Sequence, residues 1–310
     1  MNSRNWKFYI VPVIVLFAIS WLGCSADVPP AAVPPASLPD WMAPIPGTKR
    51  ISELSIPGTH DAGAMYETWP NTARCQTLTI AEQLAAGVRF LDIRCRHLHD
   101  TFKIYHGSAN QRISFDDVLA ACFTFLKAHP GECVIMSVKE ESTPDGNTRS
   151  FEQTFDAYVK KDAGKWFLKD QFPTLAEARG KIVLFRRFTA SSGLPKGIDA
   201  SVWPDNTAFW IGNSLRVQDN YVVKDLPAKW TAIDALYGEA AAGSPGVLYV
   251  NFASGYKPGF SGIPNIKTVA DYNNPRLAAF FQNAGPHRYG ITLMDFATPD
   301  RCALIIGTNR

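Results

Sequence analysis

The sequence lacks several patterns that would assign it to a common functional class. None of its six cysteines belongs to a Cys-x-x-Cys pair, so a zinc site is not expected. The formal net charge is only +3 and no block of Lys and Arg occurs, which argues against a nucleic-acid partner. A Gly-x-Ser-x-Gly elbow is absent, and no P-loop or Gly-x-Gly-x-x-Gly motif stands where a nucleotide would bind. These absences disfavour serine hydrolases and nucleotide-dependent enzymes.

The first 26 residues have the layout of a secretory signal peptide. Arg4 and Lys7 precede an apolar run from Phe8 to Leu22, which small residues follow. The run is too short to favour a stable membrane span. Leu22-Gly23-Cys24 is similar to a lipoprotein box, which would leave Cys24 lipidated, and ordinary cleavage after Ala26 is the alternative. We therefore expect an exported chain that is either secreted or held at the outer surface as a lipoprotein.

Composition divides the rest of the chain into a linker and a larger domain. Residues 27–46 are rich in Pro and Ala, which predicts a semi-extended linker. Residues 47–310 contain no repeat and no low-complexity run, and we interpret them as one folded domain. Export permits disulfides, but the sequence leaves open whether the five cysteines after Cys24 pair or remain buried thiols.

Short apolar segments alternate with amphipathic ones along this domain. Eight segments rich in β-branched and aromatic residues are predicted strands: 50–56, 88–94, 102–106, 133–139, 181–187, 208–214, 247–252 and 290–296. Helical stretches lie between them, one from Thr79 to Gly87 and another from Ser114 to Pro130. This alternation is typical of an α/β fold and predicts a single (β/α)8 barrel of the TIM type.

Polar side chains stand at or just after the ends of six predicted strands. They are His60 and Asp61, Asp92 and Arg94, His106, Lys139 and Glu141, Arg187, and Asp295. Because the chemistry of such barrels gathers at the carboxyl ends of the strands, these residues predict a polar site at one mouth. Two histidines, several carboxylates and at least two cations suit phosphoryl transfer by general acid–base catalysis.

Eight ordered motifs resemble those of bacterial phosphatidylinositol-specific phospholipase C. They run from about residue 40 to residue 300 and read DWMAPIPGTKRISELSIPGTHDAGAM, GVRFLDIRCR, IYHG, VIMSVKEE, GKIVLFRRF, RVQDNY, LYVNFASG and YGITLMDF. The resemblance implies a distorted barrel that cleaves phosphatidylinositol in two stages. The inositol 2-hydroxyl first attacks the phosphate, giving inositol 1,2-cyclic phosphate and diacylglycerol. Slow hydrolysis of the cyclic ester follows.

The same resemblance implies roles for the acid–base residues. His60 is expected to be the general base and His106 the general acid. Asp295 would pair with His60, and Asp61 would assist His106.

Arg94 bears on the question of a cofactor. The resemblance implies that Arg94 contacts the phosphate and is held by Asp92, and residues two apart on a strand share a face. Calcium-dependent relatives gather carboxylates or amides at the phosphate instead, because calcium takes six to eight oxygen ligands. Since a guanidinium already supplies the positive charge, we expect neither a metal nor another cofactor.

The remaining expectations concern the head group and the membrane. The resemblance implies that Lys139, Arg187 and Asp219 bind inositol hydroxyls, that Tyr221 stacks on the ring, and that Glu141 lies near the pocket. Trp69, Tyr256 and Phe260 stand in loops after the first and seventh strands and are candidates for contact with a membrane interface. The expected partner is phosphatidylinositol in a membrane, bound peripherally by a monomer. Whether glycosylphosphatidylinositol anchors are also accepted is left open by the sequence.

Two alternative functions stay open. A catalytically inactive phosphoinositide-binding barrel would lack at least one catalytic group, yet both histidines, Arg94 and Asp295 are present. A metal-dependent glycerophosphodiester phosphodiesterase would need a cluster of metal-binding carboxylates, against which Arg94 argues.

Overall fold

The computed structural model of the protein describes residues 37–191, 196–259 and 262–310. The predicted signal segment, Cys24, residues 27–36 of the predicted linker, and Phe260 lie outside these ranges. The described residues form fourteen strands: β1 (Ser55–Thr59), β2 (Phe90–Leu98), β3 (Thr101–His106), β4 (Ala109–Ser114), β5 (Val134–Glu140), β6 (Trp166–Phe167), β7 (Ile182–Arg187), β8 (Ile198–Asp199), β9 (Ala208–Ile211), β10 (Leu215–Gln218), β11 (Leu248–Phe252), β12 (Lys257–Pro258), β13 (Pro264–Asn265) and β14 (Gly290–Met294). They also form seven α-helices: α1 (Ile80–Ala85), α2 (Phe115–Ala128), α3 (Phe151–Lys161), α4 (Leu175–Ala178), α5 (Leu226–Ala242), α6 (Ile266–Asn283) and α7 (Pro299–Gly307). Short 3-10 helices span Leu38–Asp40, Ile51–Glu53 and Ala163–Lys165.

The centre of the fold is a curled, mostly parallel sheet. Seven strands lie side by side in parallel, in the order β7-β5-β2-β1-β14-β11-β10. β5 pairs with one edge of β7. On the other edge, β6 pairs with the start of β7 and β8 pairs with its end. β6 and β8 therefore share the eighth strand position. β9 is antiparallel to β10 at the opposite edge, and within the described ranges no pairing joins it to β6 or β8. The predicted α/β barrel is confirmed, in a distorted form that stays open between these edges.

Two predicted strands are wrong in their extent. The segment 50–56 begins with the 3-10 helix Ile51–Glu53, and β1 instead runs through Pro57 and Gly58 to Thr59. The segment 208–214 ends at Ile211, because Gly212 takes a φ of +54° and turns the chain into β10. The prediction misses β10 itself, where Arg216 and Gln218 interrupt the apolar pattern.

The two predicted helix starts are confirmed by their capping interactions. The hydroxyl of Thr79 accepts the backbone N–H of Glu82, and the carboxylate of Glu82 accepts the backbone N–H of Thr79. Ser114 and Asp117 make the same exchange at the start of α2. Each capping box satisfies backbone donors that a helix leaves without an internal partner in its first turn.

The C-terminal part of the predicted linker belongs to the folded domain. Trp41 and Met42 are only 2% and 0% exposed and lie in the same core as the strands. Glu132 forms a buried ion pair with Arg89 at 2.8 Å. The other oxygen of Glu132 accepts the backbone N–H groups of Met42 and Ala43, both at 2.9 Å. The predicted linker is therefore wrong from residue 37 onward, because apolar burial and these polar contacts hold the segment against the barrel.

Two further observations bear on disulfides and on the membrane. The cysteines in the described part of the chain, Cys75, Cys95, Cys122, Cys133 and Cys302, are all buried and free. Burial raises the pKa of the Cys122 thiol to about 12, so this side chain stays protonated at neutral pH. Among the residues that the structure describes, no helix combines the length and the apolar character needed to cross a bilayer.

Candidate active site

A cavity of about 510 Å³ opens at the mouth of the barrel where the parallel strands end. It is lined by nine of the predicted site residues: His60, Arg94, His106, Lys139, Glu141, Arg187, Asp219, Tyr221 and Tyr256. Three more, Asp61, Asp92 and Asp295, are buried against these. Trp69 is exposed outside the cavity, and Phe260 lies outside the described residues. The volume is that of a small-molecule site, which is roughly 300 to 1,000 Å³ in proteins.

His60 and Asp295 meet because they follow neighbouring parallel strands, β1 and β14. Nδ1 of His60 lies 2.8 Å from Oδ1 of Asp295. The side chain of Gln76 holds the same two strand ends together, since Nε2 donates to the carbonyl oxygens of His60 and Met294, each at 2.9 Å. Burial by itself lowers the pKa of His60, but the carboxylates of Asp295 and Asp61 together raise it above its ordinary value. A histidine in this setting is suited to take up a proton near neutral pH.

The guanidinium of Arg94 contacts His60 at Nε2, the ring nitrogen that does not face Asp295. Its Nη2 lies 2.9 Å from Nε2 of His60 and 3.1 Å from Oδ2 of Asp92. A guanidinium can only donate hydrogen bonds, so Nε2 of His60 accepts one and the imidazole proton stands on Nδ1, toward Asp295. Burial by itself lowers the pKa of Arg94, but Asp92 and Asp61 raise it well above its ordinary value. Arg94 is therefore a permanent positive charge beside His60.

The two buried carboxylates next to Arg94 differ in their partners. Asp92 accepts hydrogen bonds from Arg94, from the hydroxyl of Ser137 at 3.3 Å and from the backbone N–H of Asp61 at 3.2 Å. Burial would raise the pKa of Asp92, but Arg94 and Arg187 hold it well below its usual range. Both carboxylate oxygens of Asp61 lack a hydrogen-bond partner, with Nε of Arg94 at 3.5 Å as an ion-pair contact. Burial raises the pKa of Asp61 against the opposing effect of nearby cations.

His106 reaches the mouth by a route that differs from the prediction. β2 continues past the mouth to Leu98 and β3 returns antiparallel to it, so His106 ends a hairpin strand rather than a barrel strand. Its Nδ1 lies 2.7 Å from the carbonyl oxygen of Ala73 and 3.7 Å from Oδ2 of Asp61. The carbonyl is thus the hydrogen-bond acceptor, while Asp61 acts across a longer ion-pair distance. The rings of His60 and His106 are 6.3 Å apart, so a group bound between them can contact both.

Polar residues on the opposite wall of the cavity are held in place by hydrogen bonds to neighbouring groups. Nζ of Lys139 donates to Glu141 at 2.8 Å, and the other oxygen of Glu141 accepts the backbone N–H of Gly107 at 3.0 Å. Burial would raise the pKa of Glu141, but Arg94 and Lys139 bring it below its ordinary value. The hydroxyl of Tyr221 donates to Asp205 at 2.7 Å. These groups can donate to and accept from a polyol.

Arg187 enters the cavity, whereas its neighbour Arg186 pairs with Asp199 away from it. The guanidinium of Arg187 lies 3.7 Å over the ring of Trp203, whose Nε1 donates to Asp219 at 3.0 Å. Nε and Nη1 of Arg187 are buried without a hydrogen-bond partner. Such donors are suited to a bound hydroxyl or anion.

Two loops form the rim of the mouth and are joined by a hydrogen bond from the backbone N–H of Ile266 to the carbonyl of Asn71, at 2.9 Å. Trp69 on the first loop is 73% exposed and Ile263 on the second is 57% exposed. The ring of Tyr256 is turned toward Tyr221, with the ring centres 6.0 Å apart. Among the described residues of the rim, the exposed apolar groups are therefore Trp69, which is one of the candidates from the sequence, and Ile263, which is not.

Several side chains that shape the site escape the sequence analysis. Ser137 stands two residues before Lys139 on β5 and shares its face, so the strand period could have identified it. Gln76 and Trp203 act from loops, and no local pattern marks them. Cys75 is also unselected, although its sulfur lies 3.7 Å from Nδ1 of His106.

A buried lysine on α5 supports the turn that carries Asp219 and Tyr221. Nζ of Lys229 donates to Oε1 of Gln218 at 2.9 Å, and the same oxygen accepts the backbone N–H of Asn220. Burial lowers the pKa of Lys229 to about 7. The sequence does not reveal this role, because a single lysine on a helix normally faces solvent.

The chain is similar to known proteins of one family. Residues 53–188 match the family "Phosphatidylinositol-specific phospholipase C, X domain". The chain is 31% identical over 280 residues to a 1-phosphatidylinositol phosphodiesterase of Staphylococcus aureus (strain Newman), covering 83% of this chain and 88% of that protein. A 1-phosphatidylinositol phosphodiesterase of Listeria monocytogenes is 28% identical over 284 residues, covering 87% of this chain and 84% of the relative. A crystal structure of a pentafluoro-Phe-containing phosphatidylinositol-specific phospholipase C from S. aureus superposes with a TM-score of 0.79 at 28% identity, over 88% of this chain and 98% of that one.

Proposed function

Because this chain belongs to the family of phosphatidylinositol-specific phospholipases C, we propose that it cleaves phosphatidylinositol to diacylglycerol and inositol 1,2-cyclic phosphate. The observation that carries the proposal is the series of contacts Asp295–His60–Arg94, with His106 facing His60 across the cavity. A base, an anion-binding guanidinium and an acid thus surround one space. An intramolecular attack on a phosphodiester requires this combination of groups.

The first stage transfers the phosphorus from the glycerol oxygen to the inositol 2-oxygen. His60 takes the proton of the 2-hydroxyl on Nε2 as the bond from this oxygen to phosphorus forms. The bond from phosphorus to the glycerol oxygen breaks, and His106 gives that oxygen a proton. Asp295 stabilises the imidazolium that forms on His60. In the slower second stage the roles reverse: His106 takes a proton from water and His60 returns one to the 2-oxygen.

Arg94 supplies the positive charge for the phosphate, without a metal ion. Its donors match phosphate oxygens in pairs, and Asp92 and Asp61 hold it in place. In the structure one of these donors is used by Nε2 of His60. When a phosphate takes over that donor, Nε2 becomes free for the hydroxyl proton. Substrate binding would therefore expose the base.

The opposite wall of the cavity would bind the inositol ring. Lys139, Arg187 and Asp219 offer charged partners to the ring hydroxyls, Glu141 orients Lys139, and the ring of Tyr221 provides a surface for stacking.

The rim would bring the cavity to a membrane surface. Exposed Trp69 and Ile263 beside the mouth can insert at the interface of a bilayer, where aromatic rings are favoured. We propose that the protein is exported by its N-terminal segment and binds membranes peripherally as a monomer.

Phosphorus NMR tests the reaction directly. The purified protein is mixed with phosphatidylinositol in detergent micelles and excess EDTA. A cyclic inositol phosphate signal that appears and then decays is the expected result, and His60→Ala should abolish it. Arg96→Ala is the matched control, because Arg96 bonds the carbonyl of Thr143 on the surface and lies outside the cavity.

Other outcomes would change the assignment. Activity that disappears in EDTA and returns with calcium would contradict the role of Arg94 as the phosphate's cation. No turnover of phosphatidylinositol with or without metal would favour the inactive binding barrel, and turnover of glycerophosphodiesters alone would favour the metal-dependent phosphodiesterase.

A further inference from the structure

Cys75 is buried close to the two histidines and is not among the residues that line the cavity. Its sulfur is 3.7 Å from Nδ1 of His106 and 3.8 Å from the carbonyl oxygen of Ala73. Possible ligand atoms of Asp61, Cys75 and His106 lie within 4.8 Å of one another, and so do those of His60, Cys75 and Asp295. No step of the proposed reaction uses this thiol.

Carboxylate oxygens without hydrogen-bond partners surround the thiol. Asp61 is fully buried and neither of its oxygens has such a partner, and Oδ2 of Asp295 is also unpartnered. Buried polar atoms are nearly always bonded, so unpartnered carboxylate oxygens in a protein interior suggest a missing cation or donor.

The separations suit a zinc ion. Zinc binds sulfur at about 2.3 Å, imidazole nitrogen at about 2.0 to 2.1 Å and carboxylate oxygen at about 2.0 to 2.2 Å, which places neighbouring ligands roughly 3.3 to 3.7 Å apart. The sulfur of Cys75 and Oδ2 of Asp61 are each 3.7 Å from Nδ1 of His106. A thiolate, an imidazole and a carboxylate also favour zinc over calcium or magnesium, which prefer oxygen ligands.

The local charge permits a dication. Burial and the carboxylates of Asp295 and Asp61 raise the pKa of the Cys75 thiol, so a thiolate forms only when a metal displaces its proton. With that proton lost, Asp61, Asp295 and Cys75 supply three negative groups, and Arg94 is a nearby cation, 3.5 Å from Asp61. Arg94 is already paired with Asp92 at 3.1 Å, so Asp92 balances part of its charge. The spacing of cysteines along the sequence does not reveal this set, because its members come from separate loops and a hairpin.

We propose that Asp61, Cys75 and His106 form an inhibitory zinc site next to the catalytic centre. The Cys75 thiol releases its proton to solvent as the sulfur–zinc bond forms. Nδ1 of His106 exchanges its hydrogen bond with Ala73 for zinc, and the displaced ring proton leaves to solvent or moves to Nε2. His106 can then no longer act as a free acid. Because neither Asp61 nor Cys75 lines the cavity, turnover should fall more than substrate binding.

The test measures metal binding and activity separately. Full-length protein is freed of metal, and cobalt is added as a spectroscopic stand-in for zinc while thiolate-to-cobalt absorption is recorded. Zinc binding is measured by calorimetry. Inhibition by zinc is then measured against each variant's own metal-free rate, with kcat and KM determined separately.

The matched pair of variants is Cys75→Ser and Cys122→Ser. Cys122 is also a buried free thiol, but it lies on α2 in the hydrophobic core. Wild type and Cys122→Ser should bind one zinc, show the thiolate band and lose kcat. Cys75→Ser should lose the band, and its zinc affinity should fall by more than about 100-fold, because even loss of an outer partner of a metal ligand costs roughly 10- to 100-fold. Cys75→Ala serves as a second variant should Cys75→Ser not fold.

Absence of a thiolate band in wild type, or equal zinc sensitivity of Cys75→Ser and wild type, would overturn the site. The activity readout rests on the proposed function, but the cobalt band does not. A band without turnover in any metal-free sample would overturn the proposed function and leave the metal site standing.

Discussion

Arg94 holds a guanidinium nitrogen 2.9 Å from Nε2 of His60, while Asp295 lies 2.8 Å from Nδ1 on the other side of the same ring. The ring therefore has a defined tautomer, with its lone pair directed at the guanidinium that we propose binds the phosphate. In this arrangement the proposed general base and the proposed anion site are directly connected. A change at either residue should affect the other.

Asp295→Asn tests whether the carboxylate of Asp295 stabilises the protonated ring of His60. The amide removes the negative charge that stabilises the imidazolium, and its NH₂ group can reverse the tautomer. We expect kcat to fall by about 10²- to 10⁴-fold with little change in KM, in steady-state assays on phosphatidylinositol micelles. A rise in KM at unchanged kcat would instead place Asp295 in substrate binding.

His106→Ala tests the proposed proton donor. The rate on phosphatidylinositol should fall by about 10²- to 10⁴-fold, because the glycerol oxygen leaves poorly without a proton. A substrate with a p-nitrophenyl leaving group needs no such proton and should lose far less. His60→Ala should impair both substrates alike, since each needs the base. Equal losses on both substrates in His106→Ala would argue against an acid role.

Trp69→Ala tests the rim as a membrane contact. Trp69 is 73% exposed beside the mouth, whereas Trp210 is 49% exposed on β9 and supplies a matched control. Loss of one inserted aromatic side chain should weaken binding to vesicles that contain phosphatidylinositol by about tenfold. Trp210→Ala should bind as wild type does in the same sedimentation assay. If the two variants weakened vesicle binding equally, the rim would not be the membrane contact.

Glu132→Gln tests the contacts that hold the N-terminal segment. The amide leaves the buried charge of Arg89 without its partner, which should lower the free energy of unfolding by about 3 to 5 kcal/mol in urea. The exposed pair Lys267–Asp271 provides the control, and Asp271→Asn should change stability by less than about 1 kcal/mol. Similar small effects of both substitutions would show that residues 37–46 are not held by this ion pair.

Lys229→Met tests a pH dependence of folding. Burial lowers the pKa of Lys229 from an ordinary 10.5 to about 7, so between these values the unfolded chain binds one more proton than the folded chain. Wild-type stability should therefore rise with pH in this window and decline as the pH falls toward 7. Between about pH 7.5 and pH 9.5 wild type should gain roughly 2 kcal/mol relative to Lys229→Met. Urea unfolding at several pH values measures this difference. In the control Lys160→Met, which changes an exposed lysine, the free energy of unfolding should depend on pH as it does in wild type.

The parts of the fold that the sequence predicts are those that depend on local chemistry. Thr79 and Ser114 cap helices by contacts within three residues, and the apolar runs of β5 and β7 mark buried parallel strands. The predicted linker is wrong from residue 37, because Trp41 and Met42 are buried by partners far along the chain, such as Glu132. A proline-rich composition says nothing about such partners.

The sequence by itself determined the barrel and the set of chemical groups at its mouth. Parallel strands put their carboxyl ends on one side, so polar residues after those ends had to gather there. Only the tertiary structure decided which groups touch. His60 contacts Asp295, which lies 235 residues further along the chain. His106 lies on the hairpin strand β3, and its hydrogen-bond acceptor is the carbonyl of Ala73. Cys75 lies close both to His60 and Asp295 and to His106 and Asp61. Contacts of this kind require segments remote in sequence to come within about 3 Å of each other, and local residue preferences carry no information about that approach.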